Sequence, residues 1–280
     1  MNVCSYVSIR TPSVSVNRVC VFSAKKTGNF FSFLFLCKKY DIMESAKNIC
    51  EVTAMALKAV LFDLDNTLYD FSTAHKLALR AMAEYGESRF DVPARRFLLA
   101  YQQADKQLKE ELPYVAACHN RVLISQRMLE LLGLPSVVTP LELYETYWST
   151  LLHSIKPREG VVELLSRLHH QRIRTGICTD MTAHIQHRKI AALGIAGYLD
   201  VMVSSEEAGV EKPNPKIFHD CLNKLHVRPN EALFIGDSFE RDVCGAHAAG
   251  LIPFWLNTTN EPAPEADFRY KELHSLKELL

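Results

Sequence analysis

A parallel α/β sheet interrupted by an all-helical segment is the fold class this sequence predicts, and three observations predict it. The run Ala59-Val60-Leu61-Phe62 is short, wholly apolar and stopped by Asp63, the pattern of a strand buried on both faces. Roughly 85 residues, from Asp70 to about Lys156, then pass without a convincing strand. From Pro157 onward, short apolar runs alternate with helical patterns, as successive strand–helix units of a parallel sheet do.

Taken in order, the strand at 59–62 opens into Asp63-Leu64-Asp65-Asn66-Thr67-Leu68. Thr73 to Tyr85 places Ala74, Leu77, Ala78, Ala81 and Met82 at helical spacing. Helices are also predicted over Pro93–Leu108, Arg121–Leu132 and Pro140–Ile155, the last with proline at an early position. A helix over Gly160–His170 leads to a strand over Arg174–Cys178 that ends at Thr179-Asp180. Ala183–Leu193 is a helix closed by Gly194, Val201–Val203 a strand, and Pro215–Leu225 a helix preceded by Glu211-Lys212-Pro213-Asn214. Ala232–Ile235 is a strand running into Gly236-Asp237-Ser238, Asp242–Ala249 a helix stopped by Gly250, and Ile252–Leu256 the last strand, before a short C-terminal helix.

The composition suits such a fold. The 280 residues are 48% hydrophobic and 23% charged, enough to bury a substantial core. The formal net charge is zero, which gives no reason to expect a nucleic-acid partner. The eight cysteines form no CxxC pair and no cluster with zinc spacing, so reduced thiols and a cytoplasmic location are expected. Cys178, inside an apolar run, reads as core packing rather than a nucleophile.

Residues 1–54 stand apart, with seven Lys or Arg against three acids. Their apolar run, Phe30 to Cys37, is too short to cross a membrane, and no membrane association is expected. An acid-poor, Ser-bearing start is also compatible with a targeting segment. Met55-Ala56-Leu57-Lys58 immediately before the first strand resembles a natural start, so residues 1–54 are read as an extension, disordered or upstream of the true protein.

Asp63 with Asp65, Thr179 and Asp237 with Asp242 each follow an apolar strand, and Lys212 precedes a helix. In a parallel sheet such loops converge on one edge. An acidic turn capping a strand is an ordinary reading of the first pair alone, but convergence gives a cluster of carboxylates that needs a cation or a retained proton. Hard oxygen ligands suit Mg²⁺. A carboxylate can attack phosphorus, a second can protonate the leaving oxygen, and a hydroxyl and an ammonium can hold the phosphoryl oxygens.

These motifs resemble those of haloacid-dehalogenase-superfamily phosphatases. Asp63-Leu64-Asp65-Asn66-Thr67-Leu68 matches DxDxT with a following aliphatic residue; Gly176-Ile177-Cys178-Thr179 matches the strand ending in Ser or Thr; Lys212-Pro213 matches the third motif; and Gly236 through Asp242 matches GDxxxxD. The resemblance spans about residues 57–257 and implies a Rossmann-like core at 55–70 and 157–280, with a helical type-1 cap at 71–156. It implies that Asp63 is the nucleophile and Asp65 the general acid/base. Thr179 and Lys212 would bind the phosphoryl group, with Asn66 and Asp180 as further contacts. Asp63, Asp237 and the main-chain carbonyl of Asp65 would hold magnesium, with Asp242 in support. The implied partner is a small phosphorylated metabolite, a nucleoside monophosphate or a sugar phosphate. His119-Asn120-Arg121, together with Tyr69, Phe71 and Tyr114, are the candidate contacts on the cap side, although an ordinary polar helix start explains the triplet as readily. Dehalogenase members lack the second aspartate, which favours a phosphatase; a phosphomutase and a non-catalytic relative are the alternatives. Oligomeric state is not readable from the sequence.

Overall fold

The computed structural model describes residues 57–280, so the N-terminal extension read from the sequence lies outside the described residues. Six strands form one parallel sheet: β1 (Ala59–Phe62), β2 (Arg174–Thr179), β3 (Val201–Ser204), β4 (Ala232–Gly236), β5 (Ile252–Leu256) and β6 (Lys271–Leu273), in the order β3-β2-β1-β4-β5-β6. The order reverses between β1 and β4, which pair in register from Ala59↔Ala232 to Phe62↔Ile235. A crevice opens at the carboxyl ends of strands where the winding changes direction. Asp63 and Asp237 leave the sheet at that crevice.

The helices are α1 (Phe71–Phe90), α2 (Ala94–Glu111), α3 (Arg121–Leu132), α4 (Thr139–Ser154), α5 (Val161–His170), α6 (Ala183–Ala192), the single turn α7 (Ser205–Ala208), α8 (Pro215–Leu225) and the single turn α9 (Gly245–Ala248). Helices α1 to α4 lie between β1 and β2, with α1 packed on α4 and α2 on α3. Asp70 caps α1, accepting from the Thr73 amide at 3.0 Å, a contact that satisfies one of the open amides of a first turn. The helix runs through Gly86 to Phe90, beyond the Tyr85 expected from the sequence. Gly86 fits there because a Cβ would meet the Phe97 ring at 2.6 Å. The sheet's inner layer, including Leu61, Cys178, Val203 and Phe234, packs against Ile217, Phe218, Cys221 and Leu222 of α8. Cys178 is fully buried among them.

Three expectations need correction. The C-terminal stretch contributes a sixth strand, β6, before its short helix. The Thr179–Lys212 interval holds a one-turn helix besides one helix and one strand. The expected helix over Asp242–Ala249 begins earlier, with a π-helical turn at Phe239–Cys244 that α9 continues. The cause of the widened turn is visible: Val243 donates to the Ser238 carbonyl five residues back, while the Asp242 side chain turns inward.

Candidate active site

The loop after β1 curls on itself. Leu68 donates to the Leu64 carbonyl at 3.0 Å, and Asn66 takes a left-handed conformation at φ 60°. This curl turns Asp63 and Asp65 toward the same cavity, whose volume is about 400 Å³. Asp63, Asp65, Thr179, Asp180, Lys212, Asp237 and Asp242 line it from the sheet edge, and Phe71, His75, Tyr101, Lys109, His119 and Arg121 from the helical segment.

Lys212 anchors the floor. Its ammonium donates to Asp63 Oδ1 at 2.6 Å and to Asp242 Oδ1 at 2.7 Å, all three side chains being buried. Asp180 Oδ1 accepts from the Lys212 amide at 2.9 Å, which fixes the loop that carries the lysine. Gly236 is required by close approach: a Cβ on it would lie 2.3 Å from the Asp242 carboxyl carbon. Thr67 joins the two acidic loops, lying 3.2 Å from Asp63 Oδ2 and accepting from the Asp237 amide at 3.1 Å.

The charges explain the titration. Burial pushes the Asp63 carboxyl well above the usual range, and Asp242, Asp237 and Asp65 add to the push that Lys212 opposes. Burial and Asp242 raise Asp237 to about 6, against the pull of Lys212. Desolvation alone would lower Lys212, but Asp242 and Asp63 outweigh it and hold the ammonium well above its ordinary value. Three carboxylates and one ammonium leave an excess of negative charge. Carboxylate oxygens of Asp63, Asp237 and Asp242 lie within 4.8 Å of one another. An all-oxygen, net-negative set of this kind fits a hard divalent cation. Both Asp242 oxygens are taken, by Lys212 and by the Ser238 amide at 3.0 Å, and Asp63 Oδ1 is likewise held by Lys212. Asp63 Oδ2 and Asp237 Oδ1 share only the single Thr67 hydroxyl proton, at 3.2 and 3.4 Å, which leaves Asp237 and the Oδ2 of Asp63 the more available ligands.

Asp65 is held quite differently. Lys189, from the middle of α6, donates to both its oxygens at 2.8 and 2.7 Å, and the Tyr69 hydroxyl donates to Oδ1 at 2.5 Å. Lys189 is 0% exposed and lies 5.2–6.0 Å from the ring centres of Tyr69, Phe71 and Trp148. Desolvation lowers its pKa, partly offset by Asp65. Gln186, one helical turn earlier, donates to Thr179 Oγ1 at 2.6 Å. The sequence reading missed both residues. The available signal was that Lys189 sits four residues from Ile185 and from Leu193, on the apolar side of its helix.

His119 reaches across to the loop before Lys212, with Nε2 2.9 Å from Glu211 Oε1. Burial would raise Glu211, but the His119 contact, Arg241 and Lys212 hold it below the usual carboxylate value. Other sequence candidates are placed elsewhere. Asn66 spends its amide oxygen on Ser72 at 3.0 Å, and Asn120 caps α3 through the Val122 amide at 2.9 Å. Neither is among the cavity-lining residues, and Tyr114 is 76% exposed outside it. Tyr69 is buried behind Asp65 rather than lining the cavity.

A family model described as haloacid dehalogenase-like hydrolase matches residues 57–250. The chain belongs to this family. Among its relatives, the ribulose-1,5-bisphosphate 5-phosphatase of Halopiger xanaduensis is 37% identical over 205 residues, 72% of this chain and 86% of that protein. The glyceraldehyde 3-phosphate phosphatase of Methanopyrus kandleri is 32% identical over 235 residues, 80% of this chain and 96% of that protein. The fold is shared with a magnesium-bound hydrolase of the family, YfnB from Bacillus subtilis, at a TM-score of 0.62 and 24% identity, covering 80% of this chain and 97% of that one. The chain is thus a phosphomonoester hydrolase of the haloacid-dehalogenase superfamily, built on a Rossmann-like α/β core. No helix among the described residues is long and apolar enough to cross a membrane.

Proposed function

We propose that the protein is a Mg²⁺-dependent phosphatase of a small phosphorylated metabolite, working through an aspartyl-phosphate on Asp63. One observation carries the reading: two carboxylates in one cavity have different partners, Asp63 on Lys212 at 2.6 Å and Asp65 on Lys189 at 2.7 Å. Environment assigns different work to paired carboxylates.

Asp63 attacks phosphorus, forming an O–P bond as the ester P–O bond breaks. The departing oxygen takes its proton from Asp65, which receives that proton from the Lys189 ammonium bonded to both its oxygens. Asp65, now a carboxylate, takes a proton from water, whose oxygen attacks the phosphoryl group and frees Asp63 with inorganic phosphate. Lys212, bonded to Asp63, and the Thr179 hydroxyl, which lines the same cavity, hold the non-bridging oxygens, and Lys212 balances charge that builds there. Asp63, Asp237 and the Asp65 carbonyl would hold magnesium, which supplies charge neutralisation between nucleophile and phosphate. Helices α1 to α4 form the cap under this reading. They wall the cavity with Phe71, Tyr101 and His75, limiting it to a small substrate and excluding bulk water.

Sugar phosphates are the favoured class, since the two relatives described above act on a pentulose bisphosphate and a triose phosphate. The test is phosphate release by the full chain from sugar phosphates, nucleoside monophosphates, flavin mononucleotide and phosphoglycolate, with magnesium or with chelator. Release that needs magnesium is expected. Undiminished release in chelator contradicts the metal site, and absence of release from every compound contradicts the phosphatase reading.

A further inference from the structure

We propose that Arg121 receives a second anionic group of the substrate, a carboxylate or a second phosphate, on the helical side of the cavity. This deepens the phosphatase reading and rests on it.

Four lysine and arginine side chains line the cavity, and three of them have acidic partners. Lys212 has Asp63 and Asp242, Lys109 has Asp105 at 2.6 Å, and Arg241 has Asp180 at 3.4 Å. Arg121 differs. Among the described residues, no carboxylate oxygen lies within the 4.0 Å reach of an ion pair with it. It is nonetheless 7% exposed, and its Nε is buried without a hydrogen-bond partner. Its close neighbours are neutral: the His119 carbonyl at 3.0 Å, the Tyr147 side chain, with which it is hydrogen-bonded, and the rings of Tyr101 and Tyr147, 5.9 and 5.3 Å from the guanidinium carbon. The nearby carboxylate that acts on it, Asp105, is paired to Lys109.

A guanidinium cannot shed its charge to escape burial. Aromatic faces return part of what desolvation removes, and the His119 carbonyl and the Tyr147 hydroxyl satisfy two of five donors. A buried cation with open donors on a cavity wall is therefore a site prepared for an anion. The planar fork matches carboxylate and phosphate alike, offering two parallel donors. The scissile phosphate is already provided for on the opposite side by Lys212 and Thr179. Arg121 thus addresses a different anion in the same molecule. The aromatic walls beside it restrict the rotation of a bound group, and a cavity of about 400 Å³ holds a short doubly anionic metabolite.

The test compares matched pairs on the full chain with magnesium: 3-phosphoglycerate against glycerol phosphate for a carboxylate, and fructose 1,6-bisphosphate against fructose 6-phosphate for a phosphate. The wild type is expected to prefer the doubly anionic member of at least one pair by about tenfold or more in kcat/KM. Arg121→Gln is expected to bring that ratio close to one, mainly through KM, and Arg121→Lys to keep a few-fold preference. Which pair responds identifies the second anion. Ratios near one for both pairs in the wild type overturn the proposal, and so does an Arg121→Gln variant that slows both members equally. If none of the four is hydrolysed, the phosphatase reading is at fault, and thermal shifts with the same compounds still decide this one. The doubly anionic members must then stabilise the wild type more than their partners do, and Arg121→Gln must erase the difference; equal shifts overturn the proposal.

Discussion

The two sides of the cavity are built differently. On the sheet side, the acidic residues stand at or near strand ends, and each lysine is matched to carboxylates at 2.6–2.8 Å. On the helical side, side chains arrive from α1, α2, α3 and the short 3₁₀ turn Ala116–His119, with more aromatic surface and one guanidinium that has no ion-pair partner among the described residues. A sheet edge fixes positions through many strand hydrogen bonds, so it suits groups whose geometry must be held to fractions of an ångström. Packed helices tolerate exchange of individual wall residues more readily. The difference teaches that reactivity and recognition are separable in this molecule, and mutations on each side should separate kcat from selectivity.

The largest effect is expected at Asp63. Asp63→Asn keeps the size of the side chain while removing the nucleophile and one partner of Lys212. Turnover should fall at least about a thousandfold, and mass spectrometry should detect no phosphorylated protein. Wild-type turnover by this variant, with asparagine verified, would end the covalent reading and with it the claim that the sheet side holds the chemistry.

A smaller effect is expected at Lys189, which serves the sheet side although it reaches Asp65 from α6. Lys189→Met keeps the aliphatic stem among Tyr69, Phe71 and Trp148 but frees the Asp65 carboxylate to turn. Proton transfer by a positioned group contributes about 10²–10⁴-fold, and misplacing it should cost about tenfold to a hundredfold of that on alkyl phosphates. Aryl phosphates with good leaving groups need the proton less and should lose less. A uniform loss across both classes would reduce Lys189 to a structural role.

Lys189 also marks the limit of what the chain discloses. The motif residues were legible because a short apolar run ending in charge is a local pattern, and because parallel strands bring their carboxyl ends to one edge. Five strands and the five helices between β1 and β2 were readable for the same reason: burial imposes a period on the sequence. Strand β6, Lys-Glu-Leu, has no such period, since an edge strand of three residues is specified by its neighbour rather than by its own burial. The π-helical turn arises from the inward pull of Asp242 on a partner thirty residues away. Lys189 is specified mainly by tertiary contacts: its place on the apolar side of its helix is a faint local signal, and a lysine in a helix ordinarily marks a solvated face. Asn66 and Asn120 show the other limit: as polar residues beside motif or site residues they suggested contacts, and in the structure their amide oxygens accept from the Ser72 and Val122 backbone amides.

The mildest prediction concerns the cation and separates the two sides by pH. Asp237 holds its proton up to about pH 6, because burial and Asp242 disfavour its charged form. Magnesium must displace that proton, so its apparent affinity should be nearly level above about pH 7. Below about pH 6 it should weaken roughly tenfold per unit, and more steeply if Asp63, also raised, is protonated in the same range. Calorimetric titration with magnesium between pH 5 and 8, in buffers of different ionisation enthalpy, measures both the affinity and the protons released. Proton release that grows as the pH falls is expected. Arg121 remains charged throughout that range, so the ratio of kcat/KM between doubly and singly anionic substrates should respond to pH less than magnesium affinity does. An affinity independent of pH from 5 to 7 would remove Asp237 from the cation site and leave the excess of carboxylates at the sheet edge to be balanced in some other way.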